Sequence, residues 1–346
     1  MGRNNKKYFK DLREQVHEKL VSMQAFGESK RKAKEDGTDK DKIFSFGTYE
    51  TYWKHCKYYV TWLNKTYPEC TTLRSAKRHV NEWLELRTNT VNKNGQPLSA
   101  WTIQTDCSAL CKLFGIDRSD PNRFQPPQRH REDIRRSRVD VKQDRHFSKT
   151  NNAELIDFCR GTGCRRGVLE RLEGRDLWTR TMMEDRAREL AGKGHRTERE
   201  ERHLLTIKDA LRVFPEEKEF LHHRKDKNGK YRFAPIVGPK RDQIIERMRS
   251  TAFKEKVWKH VPKNADIHSY RAEYATCMYK DHARDIERIP FDRVNRGTGH
   301  RYQSDVYVCR KDEAGKRLDK RAMAVCSKAL GHNRISVIAD HYLRGL

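Results

Sequence analysis

Residues 48–63, TYETYWKHCKYYVTWL, set Tyr49, Tyr52, Trp53, Cys56, Tyr59, Val60 and Leu63 at steps of three and four. That period puts all seven on one side of a helix, so the stretch predicts an amphipathic helix with an aromatic-rich buried face. Pro68 ends it. A second stripe follows in Leu73, Ala76, Val80, Trp83 and Leu84, then the turn-forming NKNGQP at 92–97. A third, Ile103, Cys107, Leu110, Cys111 and Phe114, starts behind a candidate Ser99 cap and stops at Gly115. Residues 43–115 therefore read as a small helical domain. Between its apolar positions stand Lys54, Lys57, Arg74, Lys77 and Arg78, which either line a phosphate backbone or form an ordinary solvated face.

Outward from this domain the chain changes character. Residues 1–42 are highly charged, as in ESKRKAKEDGTDKDK, and predict a flexible or weakly helical arm with one short helix near 8–24. Residues 116–147 hold three prolines and many arginines, among them Arg135, Arg136 and Arg138, and read as an extended linker able to follow DNA phosphates. The remainder, 148–346, mixes helices with a few strands.

Over 346 residues Lys and Arg number 75 against 49 Asp and Glu, a formal charge of +26. Such an excess opposes a compact state unless a polyanion neutralises it, which points to nucleic acid. Thirteen Tyr, thirteen Phe and six Trp argue for a folded chain. No apolar run has the length of a membrane span and MGRNNKKYFK lacks a signal peptide's apolar stretch, so the expectation is an intracellular, cytoplasmic protein at the bacterial nucleoid, away from membranes. Nine cysteines without a CxxC pair read as reduced, mostly buried thiols, and no Gly-rich phosphate loop of the nucleotide-hydrolysing kind is present.

Four stretches of the second part carry groups suited to a phosphodiester. GTGCRRGVLERLEGRDL, 161–177, brings Arg165 and Arg166 out of a Gly turn, and a guanidinium can bind two phosphate oxygens at once. HHRKDKNGKYRFAPI, 222–236, predicts a hairpin turning at Asn228-Gly229 with Lys227 and Lys230 beside its tip. DIHSYRAEYAT, 266–276, puts His268 and Arg271 on one helix face. LGHNRISVIADHYLRGL, 330–346, supplies His332 and Tyr342.

In this order the set resembles the tyrosine recombinases of the phage-integrase family: TGCR matches TGxR, HSYR matches HxxR, and LGHNRIS matches LGHxxIS. The resemblance covers essentially the whole chain. It implies a mainly α fold with a small β-sheet or hairpin: a helical, SAM-like core-binding domain over 43–115, and a mixed α+β catalytic domain over 148–346. Where the family commonly has an acidic residue three positions after its first arginine, this chain has Val168, which leaves the partner of Arg165 unassigned. His332 and Tyr342 are ten residues apart, one more than usual. A long gap before LGH suggests an insertion over about 280–325, with VYVC strand-like, a turn at Glu313 to Gly315, and a helix capped by Asp319. With only LRGL after Tyr342, the insertion is the expected contact to a neighbouring subunit.

The resemblance further implies the catalytic set Arg165, Lys227, His268, Arg271, His332 and Tyr342. Tyr342 would attack the phosphodiester to form a 3′-phosphotyrosyl link, Arg165, Arg271 and His332 would stabilise the charge of the transition state, His268 would position or accept the phenol proton, and Lys227 would protonate the leaving 5′-oxygen. Because the phosphoester is exchanged, neither metal, ATP nor other cofactor is expected. Partners implied are double-stranded attachment sites, a homotetramer on two such sites formed from monomers, and accessory bending or excision factors. The alternatives are a type IB topoisomerase, a sequence-specific DNA-binding protein without chemistry, and a metal-dependent nuclease, against which stands the lack of clustered Asp, Glu and His.

Overall fold

The computed structural model describes residues 10–130, 147–226, 229–289, 305–310, 313–343 and 346. It is mainly helical, with one three-stranded and one two-stranded antiparallel sheet, and divides into two compact units, Met1–Arg129 and His130–Leu346. Arg135, Arg136, Arg138 and Lys227 lie outside the described residues.

In the first unit α1 (Leu12–Ser22) opens with a capping box, Asp11 accepting from the Glu14 amide at 2.7 Å. After α2 (Lys30–Glu35) come α3 (Phe46–Thr66), α4 (Leu73–Ala76) with a 3-10 turn Lys77–His79, α5 (Val80–Thr88) and α6 (Ala100–Phe114). Ser99 caps α6, and Gly115 ends it in the left-handed region, as the sequence predicts. The aromatic stripe is the core: Tyr49, Cys56, Tyr59, Val60 and Leu63 pack with Val80, Trp83, Leu84, Leu110 and Leu113. The Tyr59 hydroxyl donates to the Ala76 carbonyl, tying α3 to α4. Inside the third stripe, Asp106 is fully buried between His55 Nδ1 at 2.5 Å and Arg87 Nε at 3.1 Å.

Two expected boundaries are corrected. Residues 10–42 are not a free arm, because Leu12, Val16, Leu20 and Met23 recur at helical spacing and enter the same core, and Ile43 exchanges main-chain bonds with Met23 and Ala25. The dense charge around them hides four apolar residues. Nor does the linker start at 116: Ile116 and Phe124 pack on that core, Gln104 bonds the Pro127 carbonyl, and Arg129 lies 5.3 Å over the Trp101 ring.

The second unit begins with α7 (Ala153–Thr162) and the short α8 (Arg166–Leu169), then β1 (Leu177–Thr179), α9 (Arg180–Gly192), α10 (Glu198–Val213), β2 (Glu219–Asp226), β3 (Lys230–Pro235), α11 (Arg241–Ser250) and α12 (Ile267–His282). The sheet runs β1-β2-β3. α12, capped by Asp266, is buried on several sides, packing on α7 and on the next long helix. The expected hairpin is there as β4 (Val306–Val308) and β5 (Arg317–Asp319), followed by α13 (Lys320–Ala329), with Asp319 as its cap, and α14 (Ser336–His341). Cys309 and Leu318 join the core, and Arg284 bonds Asp319 and Asp305, so the foot of this hairpin belongs to the unit's framework. All nine cysteines are free, seven of them buried.

Candidate active site

Two helix ends place the first groups. Gly163 ends α7 at φ 57°, and a Cβ there would stand 2.5 Å from the Tyr274 ring, so only glycine suits both the backbone and the space. The chain then leaves toward Arg165, the N-cap of α8. At the other end α13 closes in a Schellman motif: Gly331, φ 68°, donates to the Lys328 carbonyl and the His332 amide to that of Ser327. The LGH spelling is thus a helix terminator that delivers His332 at its last bond.

α12 brings the third group into the middle. Arg271 is wholly buried and donates to the Gly163 and Leu330 carbonyls, the latter at 2.5 Å, which joins the two glycine turns through one guanidinium. Tyr342 follows the last turn of α14 and lies against this set: its ring is 5.4 Å from the His268 ring, 5.2 Å from that of His332 and 5.7 Å from the Arg271 guanidinium. Residues from 268 to 342 thus meet at one phenol. Arg271 Nε and His332 Nε2 are buried without a hydrogen-bond partner. Buried donors left open in this way are costly unless a ligand fills them, and an anion would.

Electrostatics agree with an anion site. Burial, then Arg271, Arg165, Arg232 and Lys230, push His332 down to about 3, so its imidazole is neutral among four cations. Burial also lowers Arg271, with Arg232 and Arg165 adding to it, to about 10, which leaves it charged at neutral pH. The site is nevertheless closed. Tyr342 is 4% exposed and Arg271 0%, so neither is open to a phosphate in this conformation. His268 is the exposed member.

Arg165 has a partner that sequence reasoning missed. Its guanidinium donates to Asp226 at 2.5 Å, and Arg232 donates to the same carboxylate oxygen. Arg232, itself buried, also bonds His223 Nδ1 at 2.8 Å and the Ala329 carbonyl at 2.8 Å. A β-bulge makes this possible: the register slips between His223 and Asp226, with Lys225 at φ 47°, so that the extra residue turns Asp226 inward. An acidic residue amid the basic run RKDK was the available signal. Asp226 pairs with Lys230 across the ladder, and the expected Asn228-Gly229 turn falls partly outside the described residues. Lys230 bonds Asn333 at 2.7 Å, beside His332. Arg166 is structural, its guanidinium spent on the carbonyls of Val261, Pro262, Lys263 and Ala265 in the loop before α12.

In the first unit Lys54, Arg74, Lys77 and Arg78 are exposed, and Lys57 lies 5.3 Å over the Trp53 ring. None of the five forms an ion pair among the described residues. Likewise, among these residues no cluster of His, Cys, Asp and Glu is arranged to hold a metal ion, and no helix is long and apolar enough to cross a membrane. No protein-family model matches the chain, and comparison with the curated proteins finds no significant match.

Proposed function

We propose that the chain is a site-specific DNA strand transferase of the tyrosine-recombinase kind, working through a 3′-phosphotyrosyl intermediate to integrate or excise a mobile element. The observation that carries this reading is the convergence of His268, Arg271 and His332 on the Tyr342 ring, from three motifs that resemble one family's.

In the proposed reaction the Tyr342 oxygen bonds to phosphorus and the bond to the 5′-oxygen breaks. The phenol proton passes to His268, and the leaving oxygen takes a proton from Lys227. Arg165 and Arg271 offset the charge gained by the non-bridging oxygens, each such contact being worth roughly 1.5 to 3 kcal/mol. His332, neutral, donates one hydrogen bond. A 5′-hydroxyl from a second duplex then reverses the step, so bond energy is conserved and no cofactor is drawn on. Duplex attachment sites, four protomers on two of them, and accessory bending or excision factors complete the proposal, with the first unit as core-binding domain and the exposed parts of 280–325 as the contact between subunits.

The test is covalent capture on nicked duplexes drawn from the DNA flanking the gene. A detergent-resistant protein–DNA adduct that EDTA leaves intact and that Tyr342→Phe abolishes is the expected result. No adduct from any such duplex would return the chain to the class of DNA-binding proteins without chemistry, while relaxation of plasmid lacking a specific site would favour a type IB topoisomerase.

A further inference from the structure

A groove of about 1180 Å³ lies between α10 and the β2–β3 hairpin. It shares Leu205, Thr206, Lys230 and Tyr231 with a neighbouring cavity of about 470 Å³ that reaches His332 and Asn333, so it adjoins the tyrosine site. Its volume exceeds the upper end, about 1,000 Å³, of pockets built for small molecules, and suits a length of chain.

The lining has two parts. Arg199, Arg202, Arg224, Lys225 and Lys230 line it, of which Arg202 is paired with Glu198 at 3.0 Å and Arg224 with Asp176 at 2.5 Å, and the one carboxylate of the lining, Glu200, is held by Lys193 at 2.6 Å. Arg199 and Lys225 form no ion pair among the described residues. The other part is aromatic. His222 stacks on Phe233 at 4.4 Å, with Tyr231 6.0 Å and His203 5.8 Å from its ring. Tyr231 is 42% and Leu205 57% exposed, so apolar faces stand open along the groove. Burial pushes His222 down to about 3 and also lowers His203, so both rings are neutral π surfaces at physiological pH. His222 Nε2 is in addition a buried atom without a partner.

Resting on the strand-transfer reading, we propose that this groove takes a single DNA strand beside the cleavage point, with bases stacked on Tyr231 and the half-buried His203, which the buried His222 ring supports from beneath, and phosphates on Arg199 and Lys225. Cations along an aromatic floor are the arrangement that holds unpaired nucleic acid, since every base has a face to stack. A duplex would present phosphates to the rim and leave the aromatic floor unused. Strand exchange requires unpaired nucleotides next to the phosphotyrosine, and the groove adjoins that point.

The experiment compares binding of fluorescent oligo(dT) with that of an abasic strand of equal length, using the full chain as Tyr342→Phe so that no covalent product forms. Oligo(dT) is expected to bind roughly tenfold or more tightly than the abasic strand, as base stacking on aromatic side chains provides. Tyr231→Ala together with His203→Ala should abolish that preference, Tyr231→Phe should keep it, and Arg199→Gln with Lys225→Gln should weaken both strands alike. Equal affinity for the two strands, or a preference that survives loss of Tyr231 and His203, overturns the proposal. Covalent capture by the unaltered chain is read separately, so loss of the strand-transfer reading and loss of the groove's stacking role give different results.

Discussion

Asp226 holds Arg165 at 2.5 Å from a position 61 residues further along the chain, and the same carboxylate oxygen receives Arg232. One buried anion therefore orients a half-buried cation of the candidate site and balances a second cation beneath it. Val168, three positions after Arg165, is itself buried in the core and offers it no charge.

Asp226→Asn should cost both stability and function. It leaves Arg232 buried without its counter-charge, and removing one partner of a buried ion pair costs about 3 to 5 kcal/mol. On the proposed strand-transfer reading, adduct yield should fall at least tenfold beyond what the lost folded fraction explains, because Arg165 loses the group that aims it. Denaturant melts together with adduct yield per folded molecule measure the two effects, and an unchanged yield would remove Asp226 from the positioning role.

Gly163 and Gly331, the left-handed glycines flanking the candidate site, should differ in sensitivity. Gly331→Ala strains φ at the end of α13, at about 1 to 2 kcal/mol, and its Cβ would come within 3.1 Å of the Arg232 side chain, a contact that a shift of a few tenths of an ångström relieves. Gly163→Ala adds a collision with the buried Tyr274 ring, and overpacking contributes a further 1 to 3 kcal/mol or so. Equal melting shifts for the two variants would contradict the account of the GTG turn.

Acid should destabilise the second unit. Burial lowers His222 to about 3 and His223 well below its ordinary value, whereas in the unfolded chain both titrate near 6.5. Below about pH 6.5 the unfolded state therefore binds more protons than the folded one, and the stability these two residues give above that pH is lost as pH falls toward 3. Each contributes up to about 1.4 kcal/mol per pH unit across the window. His222→Phe, which keeps a ring on Phe233, should flatten the fall of melting temperature between pH 6.5 and 5.

If the first unit grips duplex DNA through its exposed cations, replacing Arg74, Lys77 and Arg78 by Gln should lower the slope of log affinity against log salt. Each lost phosphate contact accounts for about 0.9 of that slope. An unchanged slope would make the three an ordinary solvated face.

Stretches whose meaning is local were legible in the sequence. The three helical stripes, the Ser99 cap, the Gly115 stop, the hairpin of β4 and β5 and the helix carrying His268 and Arg271 all follow from three- and four-residue spacing or from turn chemistry, which act within a dozen residues. The candidate residues on α12 and after α13 could be named from their spelling alone. What tertiary structure decided is which groups meet. That α1 belongs to a core, that Arg166 serves a loop while Arg165 faces the site, that Asp226 and Arg232 stand behind it, and that Tyr342 is covered all depend on contacts between distant segments. An ion pair has no period, and a single bulge residue, Lys225, turns the decisive carboxylate inward. The sequence specifies the groups, and packing selects their partners.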